Sequence, residues 1–175
     1  FNRFYTYFVS QLAFIKQLCF NIGMKILPIL FSYDDLKNVY PNTDSFYSFL
    51  KRSLKNGSVK QIKKGLYALV DSSVGNIYAN KFQIASKLFN DSYFSYHEAL
   101  EYYGLATQCF VSQFTYLTHV RVRALNFQNV QYCSKVSNCN IEIINHIKEN
   151  GVRVVSLERA IVDSIDNFSL AGGLD

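Results

Sequence analysis

The sequence predicts an α+β chain in two parts: two short helices closed by a basic β-hairpin, then a longer mixed α+β half. Three observations carry this. Positive charge is concentrated in one stretch, helical and strand periodicities succeed one another there in a fixed order, and the residues beyond alternate between helix-like and β-rich runs. The 175 residues are 49% hydrophobic and 18% charged, which supplies a real core and excludes a disordered chain. Aromatics make up 16%, alongside many Lys, Asn and Ile, a pattern of A·T-rich coding bias, so the rings are not read as stacking platforms.

The formal net charge of +5 is unevenly spread. Residues 1–24 contribute +2, residues 25–71 contribute +4 and residues 72–175 contribute −1. Lys51, Arg52, Lys55, Lys60, Lys63 and Lys64 place six cations and no acid within fourteen residues. Such a segment beside a nearly neutral remainder fits a phosphate-binding surface. Charge alone fits a solvated helix face equally well; the order of elements favours the first.

Ser32 precedes residues 33–40, a predicted short helix with Asp34 and Asp35 in its first turn, where the helix dipole favours acids. Pro41 stops it, because the residue before proline is pushed out of helical geometry. Asn42, Thr43 and Asp44 supply a turn and an N-cap for a second helix over residues 45–55. Phe46, Phe49, Leu50 and Leu54 form its expected buried stripe. Ser45, Ser48, Lys51, Arg52 and Lys55 form the opposite face, with Tyr47 at the edge, and Asn56-Gly57 ends the helix. Residues 58–62 and 66–70 then read as strands around Lys63-Lys64-Gly65, where glycine gives a tight hairpin its backbone freedom.

Helix, turn, helix and basic hairpin is the order of a winged helix-turn-helix, whose second helix enters the DNA major groove. On this reading Lys51, Lys55, Lys60, Lys63 and Lys64 neutralise phosphates, giving affinity without sequence information. Arg52 grips a guanine edge, and Ser45, Tyr47 and Ser48 make single hydrogen bonds.

Residues 71–80 read as a linker and residues 81–89 as a helix with Ile84, Ala85 and Leu88 on one side. Ser95 caps a helix over 96–103 that Gly104 ends. Residues 115–118, 119–125, 129–133 and 152–155 look like strands, and 141–147 fits strand or helix. Ser156 opens a helix over 157–165 with Leu157, Ala160, Ile161 and Ile165 facing inward. The expected division is an unassigned extension over 1–25, a DNA-binding domain over 26–71 and an α+β domain over 81–175. The closing Ala171-Gly172-Gly173-Leu174-Asp175 reads as cut before a further element, so the second domain is expected to be incomplete.

Catalytic constellations are poor. Cys133, Cys139 and His146 have the wrong spacing for a structural zinc site, and no metal or cofactor is expected. His97 reads as a helix-surface residue and His119 as a partly buried imidazole in a β-run. Glu158 and Asp163 lie five apart on the last helix, which separates them around it. No phosphate loop or nucleophile elbow is present, so no enzyme is expected. Cys19, Cys109, Cys133 and Cys139 read as reduced cytoplasmic thiols. The uncharged N-terminal runs fall short of the roughly 18 apolar residues a spanning helix needs, and no signal-peptide cleavage site follows them. The chain opens at Phe1 and has one methionine, Met24, so residues 1–23 read as a fragment's start or upstream sequence; Phe1, Phe4, Phe8, Ile15, Cys19 and Ile22 fall near helical spacing.

Residues 31–70 resemble the winged-helix N-terminal domain of the AbiEi family of antitoxins, on the hairpin phrase Lys63-Lys64-Gly65-Leu66-Tyr67-Ala68-Leu69. The second half is similar to that family's C-terminal domain, on the run from Tyr93-Phe94-Ser95-Tyr96-His97-Glu98 to Gly104-Leu105 and on Val155-Ser156-Leu157-Glu158-Arg159-Ala160-Ile161-Val162-Asp163. The resemblance covers residues 26–175. It implies a repressor of its own promoter, bound to double-stranded DNA through the winged helix. It also implies that the C-terminal domain counters a co-transcribed nucleotidyltransferase toxin, without a stable toxin–antitoxin complex and with dimerisation on DNA left open. Residues 1–23 match nothing in that pattern, and the family's chains continue beyond residue 175. Two other readings compete: a protein-binding winged-helix module, and a nucleic-acid-processing enzyme using His97, Glu158 or Asp163.

Overall fold

A computed structural model of the protein describes residues 27–89, 92–108, 113–137 and 151–171. It is a mixed α+β structure, with four α-helices and two three-stranded sheets among the described residues. The chain divides into two compact units, one ending at Tyr78 and one starting at Ala79.

In the first unit, β1 (Leu30–Phe31), β2 (Val59–Lys63) and β3 (Leu66–Leu69) form an antiparallel sheet in the order β1-β3-β2. α1 (Thr43–Lys55) lies against β2. Phe31, Leu36, Phe46, Leu50, Val59 and Tyr67 form the buried core, and Leu27, Tyr33, Val39, Tyr40, Phe49 and Leu69 pack against it. The rings meet mostly edge to face, as with Tyr33 and Phe46 at 5.2 Å, an arrangement worth more than area alone.

The predicted helix over 33–40 is only a 3₁₀ turn, Asp34–Leu36. Ser32 and Asp35 bond each other reciprocally, through Ser32 N to Asp35 Oδ2 at 2.8 Å and Asp35 N to Ser32 Oγ at 3.4 Å, which fixes the entry. Pro41 then leaves too few residues for regular helix beyond the turn. The segment still delivers Tyr33, Leu36, Val39 and Tyr40 to the core.

α1 starts two residues before the predicted position, with Asn42 Oδ1 accepting from Asp44 N at 2.9 Å. Its buried residues are Phe46, Leu50 and Ser53, and Leu54, expected inside, is 38% exposed. At about 100° per residue, Ser53 falls between Phe46 and Phe49 in the middle of the buried arc, whereas Leu54 sits at its edge beside Tyr47. Strand β2 carries a register shift between Gln61 and Lys63. The bulge changes the phase of the pleat, so Val59 and Ile62 are both buried while Gln61 and Lys63 stay outside.

In the second unit, β4 (Gln113–Thr118) pairs in parallel with β6 (Val130–Val136), which pairs antiparallel with β5 (Leu125–Phe127). Isolated bridges extend the sheet from Leu117 to Tyr93 and from Phe94 to Val154. The expected strand over 152–155 is only that last bridge. The expected strand over 119–125 is largely loop, because side-chain bonds from Ser134 replace ladder bonds around Val122.

α2 (Lys81–Leu88) opens with a capping box between Asn80 and Gln83 and buries Ile84, Ala85 and Leu88. α3 (Tyr96–Tyr102) packs against α4 (Leu157–Asp166). On α4 the expected inward face holds at Ala160, which is buried, but not at Ile161 and Ile165, which are exposed; Asp163 and Ser164 are buried instead. The polar pair is tolerated inside because it is satisfied. Asp163 bonds Ser95 Oγ at 2.5 Å and Arg159 Nε at 2.6 Å, and Ser164 Oγ donates to Ala160 O at 2.7 Å. Phe82, Phe94, Phe114 and Tyr132 supply the aromatic core, with Phe82 and Phe114 perpendicular at 5.0 Å.

The predicted features at residues 1–25, 141–147 and 172–175, with Cys19, Cys109, Cys139 and His146, lie outside the described residues. Among those described, Cys133 is a free thiol. No helix among them is long and apolar enough to cross a membrane.

Candidate nucleic-acid interface

The helical period sorts α1 into two faces. Phe46, Phe49, Leu50 and Ser53 cover one arc and point to the core, so Ser45, Ser48, Lys51, Arg52 and Lys55 share the exposed arc opposite. Tyr47 stands at the edge of that arc, 55% exposed, its ring edge-on to Phe46 at 5.4 Å. Arg52 Nε donates to Ser48 O at 3.3 Å, one turn back, which steadies the guanidinium stem along the helix. Lys51, Arg52 and Lys55 form no ion pair among the described residues. Three cations in the last two turns also suit the negative end of the helix dipole.

Asp44 is a residue that the sequence reading used only as a cap. On the wheel it falls on the same arc as Ser48 and Lys51, in the first turn, and it is exposed. The angular position was available from the sequence. A carboxylate at a helix start facing bases would accept from a cytosine amino group, the complement of Arg52 on guanine.

The hairpin holds Lys63 and Lys64 exposed at its tip, with Lys63 opposite Leu66 and Gly65 at φ +83°. That φ lies where a Cβ is disfavoured, which is why glycine occupies the turn. Lys60 lies along β2 and away from the hairpin tip. It is half-buried, and its Nζ donates to Gly75 O at 2.9 Å, because β2 runs beside the turn over 71–76. That turn is itself built: Val70 bridges Ile77, Asp71 N donates to Asn76 O at 2.7 Å, and Gly75 N donates to Asp71 O at 2.7 Å. The Ser73 hydroxyl and amide bond the Asp71 carboxylate and hold it below its usual range. The stretch read as a linker is therefore a closed turn whose Gly75 O accepts from Lys60. Ser45, Tyr47, Ser48, Lys51, Arg52 and Lys55 are brought onto one helix, and Lys63 and Lys64 onto one hairpin tip.

The two histidines of the second unit sit elsewhere than the sequence implied, whereas Glu158 and Asp163 are separated around the last helix as expected. His97 is buried, not on a helix surface, and His119 is exposed in the loop after β4. Glu158 is exposed, while Asp163 is engaged by Ser95 and Arg159. Glu98, which the sequence reading did not single out, is 7% exposed and accepts from Thr115 N at 2.8 Å. Burial pushes its carboxyl up to about 7, against the pull of the Thr115 amide and of Lys81. Nothing in the run His97-Glu98-Ala99 distinguishes it from an exposed helical glutamate. No group of three or more metal-ligating side chains occurs among the described residues.

No known protein-family model matches the chain, and no curated protein matches its sequence.

Proposed function

We propose that this protein is a sequence-specific DNA-binding regulator whose first unit works as a winged helix-turn-helix, with α1 in the major groove. The observation that carries this is the exposed arc of Lys51, Arg52 and Lys55 on α1, unpaired among the described residues, followed by Lys63 and Lys64 at a hairpin tip. Arg52 reads a guanine edge, Ser45, Tyr47 and Ser48 add single bonds, and the lysines position the helix on phosphates. Lys60 supports the wing through Gly75. The resemblance to AbiEi antitoxins extends the reading to repression of the protein's own promoter and to countering a co-transcribed nucleotidyltransferase toxin, with no metal, cofactor or catalytic step of its own.

The test is fluorescence anisotropy on a duplex from directly upstream of the gene, against a scrambled duplex of equal composition. Lys51, Lys55, Lys63 and Lys64 contribute about −3.6 to the slope of log affinity against log salt, at roughly 0.9 per phosphate. Preference for the upstream duplex, lost when Lys51, Arg52 and Lys55 are all changed to Glu, supports the reading. Equal binding to both duplexes overturns it.

One observation favours a second reading, a protein-binding module. Ile161, Val162 and Ile165 on α4 and Phe168 just beyond it are exposed together in chain order, with Ile165 61% exposed. Exposed apolar groups clustered on one element fit a protein contact. Co-purification with the neighbouring gene product, abolished by Ile165→Glu, supports it; no such association counts against it.

A further inference from the structure

Four acids stand in the described part of the first unit, and three of them are engaged. Asp34 pairs with Lys37, Asp35 takes the amide and the hydroxyl of Ser32, and Asp71 takes the same two groups of Ser73. Asp44 is different: it is exposed, and its carboxylate has no hydrogen-bond or ion-pair partner among the described residues. Its backbone amide, not its side chain, serves the start of α1, donating to Asn42 Oδ1 at 2.9 Å.

The helical period puts this carboxylate at the centre of the exposed arc, not at its rim. Phe46, Phe49, Leu50 and Ser53 span the buried arc, and Asp44 lies opposite its middle, in line with Ser48, Lys51 and Lys55. Arg52 and Ser45 stand on one flank of that line and Tyr47 on the other. Lys51, the nearest cation on the line, is about 10 Å further along the axis and does not neutralise the acid. A carboxylate so placed repels phosphates, but in the major groove the N-terminal residues of a recognition helix meet base edges instead. There guanine presents N7 and O6 and thymine O4, all acceptors, and adenine sets its N7 acceptor beside the N6 donor. Cytosine N4 alone offers a donor without setting an acceptor against the carboxylate.

We propose that Asp44 sets the sequence specificity of α1, accepting from a cytosine amino group and repelling duplexes that place an acceptor or a phosphate there. This rests on the DNA-binding reading above and assigns to one acid a discrimination that the lysines, as phosphate contacts, do not give. It also fixes a spacing. Asp44 and Arg52 are eight residues apart, which is about 12 Å along the helix. With a rise of about 3.4 Å per base pair, the cytosine read by Asp44 lies about three or four base pairs from the guanine read by Arg52.

The test uses the full chain as the parent, Asp44→Ala, Asp44→Asn and Arg52→Ala. Anisotropy is measured on the upstream duplex, on the scrambled duplex, and on upstream duplexes in which each base pair in turn is replaced by every alternative. The parent loses about tenfold or more in affinity when a particular cytosine is replaced, the discrimination of a specific base contact. Asp44→Ala binds the original and the replaced duplexes alike at that position and keeps the parent's pattern elsewhere. Arg52→Ala does the same at a guanine about three or four base pairs away. Asp44→Asn moves the preference at the cytosine position to adenine, which an amide meets through N6 and N7. On the scrambled duplex both Asp44 variants bind tighter than the parent, whereas a merely structural role would weaken binding to every duplex. If the parent prefers the upstream duplex and Asp44→Ala leaves every single-base loss unchanged, the proposal is overturned and the α1 reading stands. A loss suppressed only at a base other than cytosine has the same meaning. Equal binding of the parent to the upstream and scrambled duplexes overturns the α1 reading and this one together.

Discussion

Replacing Glu98 by Gln exposes how the second unit handles a buried acid. The carboxyl is 7% exposed, accepts from Thr115 N at 2.8 Å, and lies near the Lys81–Glu101 ion pair of 2.6 Å. Burial is the largest influence and raises it from 4.5 to about 7; Glu101 pushes the same way, while the Thr115 amide and Lys81 oppose. The folded protein therefore keeps a proton that the unfolded chain releases first. That contribution is fully present below pH 4.5 and is lost as pH rises to about 7. At ~1.4 kcal/mol per pH unit, the window corresponds to about 3 kcal/mol. Gln does not titrate and still accepts from Thr115, and other carboxylates are common to both proteins. Urea unfolding followed by circular dichroism at about pH 4 and pH 8 should show the stability of Glu98→Gln relative to the parent rising by about 3 kcal/mol between those values. A difference that stays constant with pH would refute the reasoning, since it would mean that the carboxyl ionises in the folded state as it does in the unfolded one.

Two further outcomes test the frame that holds α1. Phe46 is 1% exposed among the rings of Tyr33, Tyr40 and Tyr67, so Phe46→Ala should cost about 3–5 kcal/mol and unfold the first unit at a lower urea concentration than the parent. Loss below about 1 kcal/mol would mean that the cluster is not packed as described. Gly65→Ala places a Cβ at φ +83° with no atom within 4 Å of it, so the cost is conformational and near 1 kcal/mol, read as a lowered melting temperature. A stabilised variant would show that the turn does not hold this backbone.

Much of the first unit was legible because its periodicities are strong. The stripe through Phe46 and Leu50 could only be helical, and Lys64-Gly65 between two apolar runs could only be a turn. What stayed hidden depends on partners distant in sequence. β1 is two residues, Leu30 and Phe31, inside an apolar run with no boundary signal, and it exists because β3 offers an edge. Lys60 reads as a wing cation until the chain folds back and brings Gly75 O to its ammonium. The alternation Val120-Arg121-Val122-Arg123 looks like a strand, yet one serine hydroxyl takes both backbone groups of Val122. On α4, hydrophobicity pointed to Ile161 and Ile165, while Asp163 and Ser164 went inside because Ser95, Arg159 and Ala160 O satisfy them. Periodicity registers apolar residues and is blind to polar groups with buried partners.

The most direct test of the central claim is the anisotropy of the parent protein on the upstream and scrambled duplexes at about 50 and 200 mM salt, beside the triple Lys51→Glu, Arg52→Glu, Lys55→Glu variant. Tighter binding to the upstream duplex is expected, with a salt slope of about −3.6 or steeper and loss of the preference in the variant, whose three changed positions are all exposed. Parent and variant binding alike, or a slope near zero, would contradict it and leave α1 as a solvated face.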